Sequence, residues 1–199
     1  SVTNAQIRAM ADAGIIVSLG HSDCDYDTAM AAFDAGTRCA THLFNAMSQA
    51  QGRAPGLVGA ALDHGGVASG LIADAVHVHP AMIRNALAAN MGPSDVFLVT
   101  DAMATAGSDI TSFTLNGREI MRSEGRLTLA DGTLAGADLT MPQAIRVLVE
   151  QVKEPLEKAL ARATTIPAQM LRRAPSLDRV DDLVWLDNDL SKACWVTEL

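Results

Sequence analysis

Cysteine is scarce and odd in number. The three residues, Cys24, Cys39 and Cys194, share no spacing. That excludes a disulfide framework and reads as reduced thiols in a cytoplasmic protein. Basic residues are outnumbered: 15 Lys and Arg against 23 Asp and Glu leave a net charge of −8. The excess argues against nucleic acid as a partner. It does not exclude an anionic small molecule, because one local Arg or His holds a phosphate on an acidic protein. No apolar run reaches the roughly 18 residues of a membrane span, so no membrane partner is expected. The first ten residues, Ser1 to Met10, are mixed and helix-like, so no leader peptide is expected either. Repeats, low-complexity segments and flexible linkers are absent. What remains is a 199-residue chain, 49% hydrophobic, long enough for one domain with a real core.

Four segments then share one design: an apolar run of strand length that ends on a polar or metal-binding residue. They are Ile15 to Gly20 before His21, Arg38 to Thr41 before His42, Val67 to Ala73 before Asp74 and His77, and Val96 to Thr100 before Asp101. Most are separated by a helical pattern. Histidines and aspartates at the C-terminal ends of successive parallel strands are the one-dimensional signature of an α/β barrel active site. The same residues suit a divalent metal and a general base. A lone His at a strand end is more often a hydrogen-bonded surface residue, and recurrence at one structural position reverses that reading. Cys24 lies near His21, and a ligand role for it is the lesser reading.

Between these runs the local signals are clear. Residues 3–13 form a helix capped by Thr3 or Asn4 and ended by Gly14. A buried strand leads to His21. Asp25 to Ala35 is a second helix, stopped by Gly36. Ser48 to Gly59 is a Gln, Gly and Pro-rich loop that contains Arg53, and loops of that length on a catalytic face are usually functional. Pro80 opens a helix through Asn90. After Asp101 the alternation of strand and helix stops. A β excursion over about 112–130 turns at Asn116-Gly117 and Glu124-Gly125. Asp131 to Gly136 is a glycine-punctuated loop. Helices come next over Met141 to Val152, Pro155 to Ala163 and Thr165 to Arg172. Two short strands, Asp182 to Asp187 and Ala193 to Thr197, close the chain.

A closed barrel of this class needs eight strands and about 250 residues. Four good βα units fall short of that. With no initiator Met and no strand before the first helix, the chain is expected to be the C-terminal part of a longer protein. Its sheet should be open, with a bare strand edge and apolar residues needing a cover.

The words Gly20-His21-Ser22, Thr41-His42-Leu43-Phe44-Asn45-Ala46-Met47, Asp74-Ala75-Val76-His77 and Leu98-Val99-Thr100-Asp101-Ala102-Met103 occur in this order. Together they resemble the N-acetylglucosamine-6-phosphate deacetylase family of the amidohydrolase superfamily. Leu134 to Ala137 resembles that family's later substrate loop, and Asp182 to Asp187 its return strand. Thr-His-Leu-Phe-Asn-Ala-Met is the specific word, and four words in register span nearly the whole chain. The resemblance implies an α/β fold: the C-terminal part of a (β/α)8 TIM-type hydrolase barrel over 1–180, with strands of a small β-sandwich over 181–199. It implies hydrolysis of the acetamide of N-acetyl-D-glucosamine 6-phosphate and, for the whole family protein, a homodimer. His21 and His42 would hold one divalent metal, zinc or iron(II), and Asp101 would be the acid and base. Asn45 and Ala46 would contact the sugar. Arg53 and His77 would hold the 6-phosphate, with Arg53 reaching a neighbouring subunit's site, and Asp74 would join this substrate-binding set. Leu134, Ala135, Gly136 and Ala137 would line the acetyl and sugar pocket.

Elementary chemistry is consistent with those roles. A metal lowers the pKa of bound water toward about 7, and neutral imidazoles suit zinc or iron(II). A nearby carboxylate takes a proton and passes it to the leaving amine. Arg binds phosphate through paired bonds. The chain departs from the family in three places. The family's carboxylate metal ligand comes from an earlier strand that is not here, and Asp23 lies off the motif. The N-terminal contribution to the β-sandwich is missing. Residues 173–181 lack the glycine-containing approach to the return strand. The rivals are an amidohydrolase of another amide, which would need no phosphate clamp, and a non-catalytic half barrel.

Overall fold

The computed structural model describes residues 2–173 and 179–198. The first helix, α1 (Asn4–Asp12), begins on a capping box in which Thr3 and Gln6 satisfy each other's backbone N–H groups. It lays Ile7 against Ala32 and Ala35. Four strands then alternate with helices: β1 (Ser18–Leu19), α2 (Tyr26–Asp34), β2 (Cys39–Ala40), α3 (Gly56–Asp63), β3 (Ala68–Ile72), α4 (Pro80–Ala89) and β4 (Val96–Val99). The strands pair in parallel in the order β1-β2-β3-β4. Asp25 caps α2, and Pro80 occupies the first turn of α4.

The sheet is open, and its two sides are unequal. All five residues of β3 are buried, as are three of the four in β4. Leu57, Val58, Leu71, Ile72, Ile83, Val96 and Leu98 form one core between the sheet and α3 and α4, each at 3% exposure or less. Burying a side chain of this size contributes about 1.5–3 kcal/mol. The expected buried strand before His21 is corrected. Only Ser18 and Leu19 pair, and Ile15 is 54% exposed: the sheet has two edges, β1 and β4, and the core covers β4 while leaving β1 half bare.

A second correction concerns the long loop. The expected loop over Ser48 to Gly59 is already helical from Gly56. The Ser48 hydroxyl accepts the Leu57 N–H at 2.7 Å and its carbonyl accepts that of Val58 at 3.2 Å, so the loop itself starts the helix.

Beyond Asp101 comes an antiparallel sheet: β5 (Ser112–Leu115), β6 (Arg118–Ser123), β7 (Arg126–Thr128) and β8 (Leu134–Ala137), in that order. The two expected hairpin turns are present. Asn116-Gly117 and Glu124-Gly125 each have two consecutive positive φ angles, which matches the twist of the flanking strands. The excursion runs to Ala137 and not to 130. The segment expected to be a loop at Leu134 to Ala137 is strand β8, because β7 offers it an antiparallel partner.

The helix expected over Met141 to Val152 is α-helical only as α5 (Met141–Val147). It widens into a π turn over Leu148–Val152, which ends at left-handed Lys153. Then come α6 (Leu156–Ala163) and α7 (Thr165–Met170). Arg162 of α6 is buried and clamps the entry of β4. It donates to Asp95 at 2.6 Å, to the Val96 carbonyl at 2.7 Å and to Glu154 at 2.9 Å. The last strands, β9 (Val184–Leu186) and β10 (Ala193–Trp195), make an antiparallel hairpin. Of the 173–181 approach, residues 174–178 lie outside the described residues. Among the described residues no helix is long and apolar enough to cross a membrane.

Candidate active site at the strand ends

The chain leaves each parallel strand through a left-handed residue. His21 has φ 48°, His42 31°, Ala75 61° and Asp101 52°, and Phe44 and Ala46 add 76° and 48°. Such a conformation costs a non-glycine residue about 1–2 kcal/mol, so strain is concentrated at one end of the sheet. Gly20 lets the first two exits meet. A Cβ there would stand 2.7 Å from the Thr41 Cβ. The outcome is a histidine pair from adjacent parallel strands. The Nε2 atoms of His21 and His42 are 2.8 Å apart, and the rings meet edge to face with centroids separated by 4.7 Å. His42 is buried, and its Nδ1 has no hydrogen-bond partner among the described residues.

Two converging Nε2 atoms share either one proton or one cation. Ligand bonds of about 2.0–2.1 Å on a common zinc would bring two cis nitrogens to roughly 3 Å. The pair therefore fits as two donors of a metal site. Among the described residues no group of three His, Cys, Asp or Glu is arranged around a common point. Cys24 is not so placed: it is half-buried, and its carbonyl accepts the Ser48 hydroxyl.

The segment after His42 is held by its own side chains. The Leu43 N–H reaches the Gly70 carbonyl across the sheet at 2.7 Å. Asn45 turns its amide NH2 toward the Leu43 carbonyl at 3.2 Å, and Gln49 donates to the carbonyls of Phe44 and Met47. Ala46 and Met47 then line a cleft of about 370 Å³ with His21, Ser22 and Asp23. Ser22, Asp23 and Met47 are additions to the residues that the sequence pattern picks out. The signal for two of them is position: Ser22 and Asp23 come directly after His21 on the same strand exit.

Arg53 stands elsewhere. Gln51 and Ala54 close a tight turn that displays it, and it is exposed, with no ion pair among the described residues. It lines a neighbouring cleft of about 650 Å³ with Asp23, Asp25, Asp27 and Tyr26, and His77 is not among the residues lining that cleft. Asp25 lies below the usual carboxylate range, because the Thr28 side chain and N–H bond it.

His77 is instead joined to Asp74. Asp74 Oδ2 accepts from His77 Nδ1 at 2.5 Å, and Oδ1 accepts the Val76 and His77 N–H groups at 2.9 and 2.8 Å. Burial would raise the Asp74 pKa, but the bonds from His77 and Val76 outweigh it and hold the carboxyl below its ordinary range.

Asp101 is exposed, and its carboxylate has no hydrogen-bond partner among the described residues. Its backbone is pinned by β8: the Ala137 N–H donates to the Asp101 carbonyl at 2.9 Å, and Ala102 bridges to Ala137. Gly136 permits this approach, since a Cβ there would overlap Met103 Cγ. The Gly136-Ala137 end of β8 is therefore brought beside Asp101, whereas Leu134 pairs with Thr128 at the other end of the strand.

A parallel βα arc with histidines and aspartates at its C-terminal end defines a class. Residues 1–181 match the Amidohydrolase family, and the chain belongs to it. The arc is an α/β part of a TIM-barrel-type domain. The chain is 39% identical, over 95% of its length, to N-acetylgalactosamine-6-phosphate deacetylase of Shewanella sp. (strain ANA-3), of which it covers 49%. It is 42% identical, over 80% of its length, to N-acetylglucosamine-6-phosphate deacetylase of Haemophilus influenzae, of which it covers 42%. The solved N-acetylglucosamine-6-phosphate deacetylase of Pasteurella multocida superposes with a TM-score of 0.87 at 36% identity. That match covers 94% of this chain and 50% of the other. The chain thus spans about half the length of the curated relatives it matches.

Proposed function

We propose that these residues form the metal-dependent half of an amino-sugar 6-phosphate deacetylase. The reaction cleaves the acetamide of N-acetyl-D-glucosamine 6-phosphate, giving glucosamine 6-phosphate and acetate, in cytoplasmic amino-sugar breakdown. The observation that carries this reading is the His21–His42 pair, 2.8 Å apart at adjacent strand ends in a chain of the Amidohydrolase family. His21 and His42 would hold a divalent ion, zinc or iron(II). Such an ion supplies a nucleophile of hydroxide strength near neutral pH. Asp101, with no competing partner among the described residues, takes a proton at its carboxylate and returns it to the departing amine nitrogen. Asn45 and Ala46 contact the sugar, Leu134 to Ala137 line the acetyl side, and Arg53 and His77 bind the phosphate. In the whole protein Arg53 serves the site of a second subunit of a homodimer, which accords with its exposure and its distinct cleft. The β9–β10 hairpin belongs to a small β-sandwich.

The galactosamine epimer is a second reading of the substrate, favoured by the name of the Shewanella relative. With two imidazoles and, among the described residues, no third protein ligand assembled, the chain alone should turn over slowly. The test is acetate release from both 6-phosphates by the zinc- or iron(II)-saturated chain, beside the full-length Haemophilus relative. Asp101→Asn should lower turnover by about 10²–10⁴-fold with metal content unchanged. Near-normal turnover in that variant would remove Asp101 from the chemistry. A monomeric chain with full activity would refute the half-site reading.

A further inference from the structure

The phosphate assignment of His77 leaves the role of Asp74 to be explained, and the role inferred for Asp74 rests on that assignment. The Asp74 and His77 side chains are 6% and 7% exposed. Both Asp74 oxygens are engaged internally. Oδ1 closes the turn through the Val76 and His77 amides, and Oδ2 meets His77 Nδ1 at 2.5 Å. Ala75, between them, is held left-handed at φ 61° so that the turn closes. A carboxylate with three such bonds has little left to offer a sugar. His77 Nε2, by contrast, has no hydrogen-bond partner among the described residues.

We infer that Asp74 is a positioning residue: it holds His77 in the Nδ1–H tautomer, so that Nε2 is the ring nitrogen presented to the substrate's phosphoryl group. A proton taken up by this ring goes to Nε2. There the cation donates a charge-assisted bond to a phosphate oxygen, with the carboxylate behind it. The same bonds that hold Asp74 below its ordinary pKa keep it an anion at neutral pH. This moves Asp74 out of contact with substrate and places it one hydrogen bond behind the residue that makes that contact.

Asp74→Asn separates positioning from structure. Its Oδ1 still accepts the two backbone N–H groups, so the turn persists. Its NH2 now faces Nδ1 and must donate to it, which forces a neutral ring into the Nε2–H form. Long-range proton–nitrogen spectra of the histidine-labelled chain read the tautomer directly at pH about 8.5, above the ordinary imidazole range. Wild type should show Nδ1–H at His77, and the variant should show Nε2–H. In calorimetric titrations at pH about 6, the variant should bind glucosamine 6-phosphate about tenfold more weakly, because a neutral Nε2–H replaces the charged donor, with unphosphorylated glucosamine unaffected. A wild-type ring in the Nε2–H form overturns the positioning role, and that spectrum needs no variant to fold. So does a variant whose tautomer does not invert, whatever its affinity. An inverted tautomer with unchanged glucosamine 6-phosphate affinity instead overturns the phosphate assignment of His77, and leaves the hydrogen-bond geometry standing.

Discussion

The two sides of the parallel sheet are built differently, and the site straddles them. Asp74 and Asp101 come after β3 and β4, which pair over four residues and are almost wholly buried. His21 and His42 come after β1 and β2, which pair over two residues, and β1 is a partly exposed edge. The two carboxylates and His77 thus follow the best-anchored strands. Of the two candidate metal donors, His42 follows β2, which is buried and paired on both sides, and His21 follows β1, the least anchored strand. Packing positions His42 as it does the first group. His21 relies on local contacts, namely the Ser18–Thr41 hydroxyl bond of 2.6 Å, the close approach at Gly20 and the histidine pair itself. A ligand shared by the two rings would do for β1 what the core does for β3.

The contrast breaks most visibly in the core. Leu71 of β3 is fully buried, whereas Leu19 of β1 is only half-buried. Leu71→Ala should destabilise the chain by about 2–5 kcal/mol, because the helices over it cannot collapse into the cavity. Leu19→Ala should cost about 1 kcal/mol, near the average for a point substitution. Urea denaturation of both variants measures the pair. Equal losses would mean that β1 is as firmly held as β3.

Metal addition sharpens the contrast at the other end. The Thr41 N–H donates to the Leu19 carbonyl at 2.9 Å, so its exchange with solvent reports the opening of β1 from β2. Binding to the folded form alone stabilises it by about 2.7 kcal/mol at a hundredfold excess of ligand over Kd. Zinc at that level should slow Thr41 exchange by about a hundredfold in the wild type and leave His21→Ala unchanged. An unaffected wild-type rate would show that the pair holds a shared proton and no cation.

The same asymmetry governs what is legible in the residues alone. The four apolar runs that become parallel strands, the cap at Thr3 and the two hairpin turns are local signals, and each has the expected form. The α3 helix is hidden in the sequence because Leu57, Val58, Ala60 and Ala61 are all buried, which erases the helical period. Strand β8 is hidden because its glycine is required by Met103 and Asp101, residues far away in sequence. Strand β1 is short where β4, the other edge, is not, and the difference lies in how much of the core covers each, which no local pattern records. In the site, the adjacency of His21 and His42 is legible from the order of the runs. The clefts at Asp23 and Met47 are not, since two loops must fold together to make them. Nor is the Asp74–His77 bond, whose direction depends on the left-handed turn at Ala75.

That turn carries the smallest effect and the most specific one. Ala75 is half-buried at φ 61°, where an alanine Cβ crowds its own backbone at a cost of about 1–2 kcal/mol. Glycine removes that cost but adds about 0.5–1 kcal/mol of chain entropy in the unfolded state. Ala75→Gly should therefore stabilise the chain by about 0.5–1 kcal/mol. Ala73, two residues earlier at the end of β3, is fully buried and is not left-handed. There the same substitution loses a buried methyl group and gains nothing in the backbone, so Ala73→Gly should destabilise. The two variants differ in position by two residues and should differ in sign, which denaturation midpoints resolve. Because the Asp74 bonds run to the Val76 amide and to the amide and ring of His77, removing the Ala75 methyl leaves them in place, and the His77 tautomer should not change. A loss of stability in Ala75→Gly would show that the turn holds no strain and that the strand exits are relaxed.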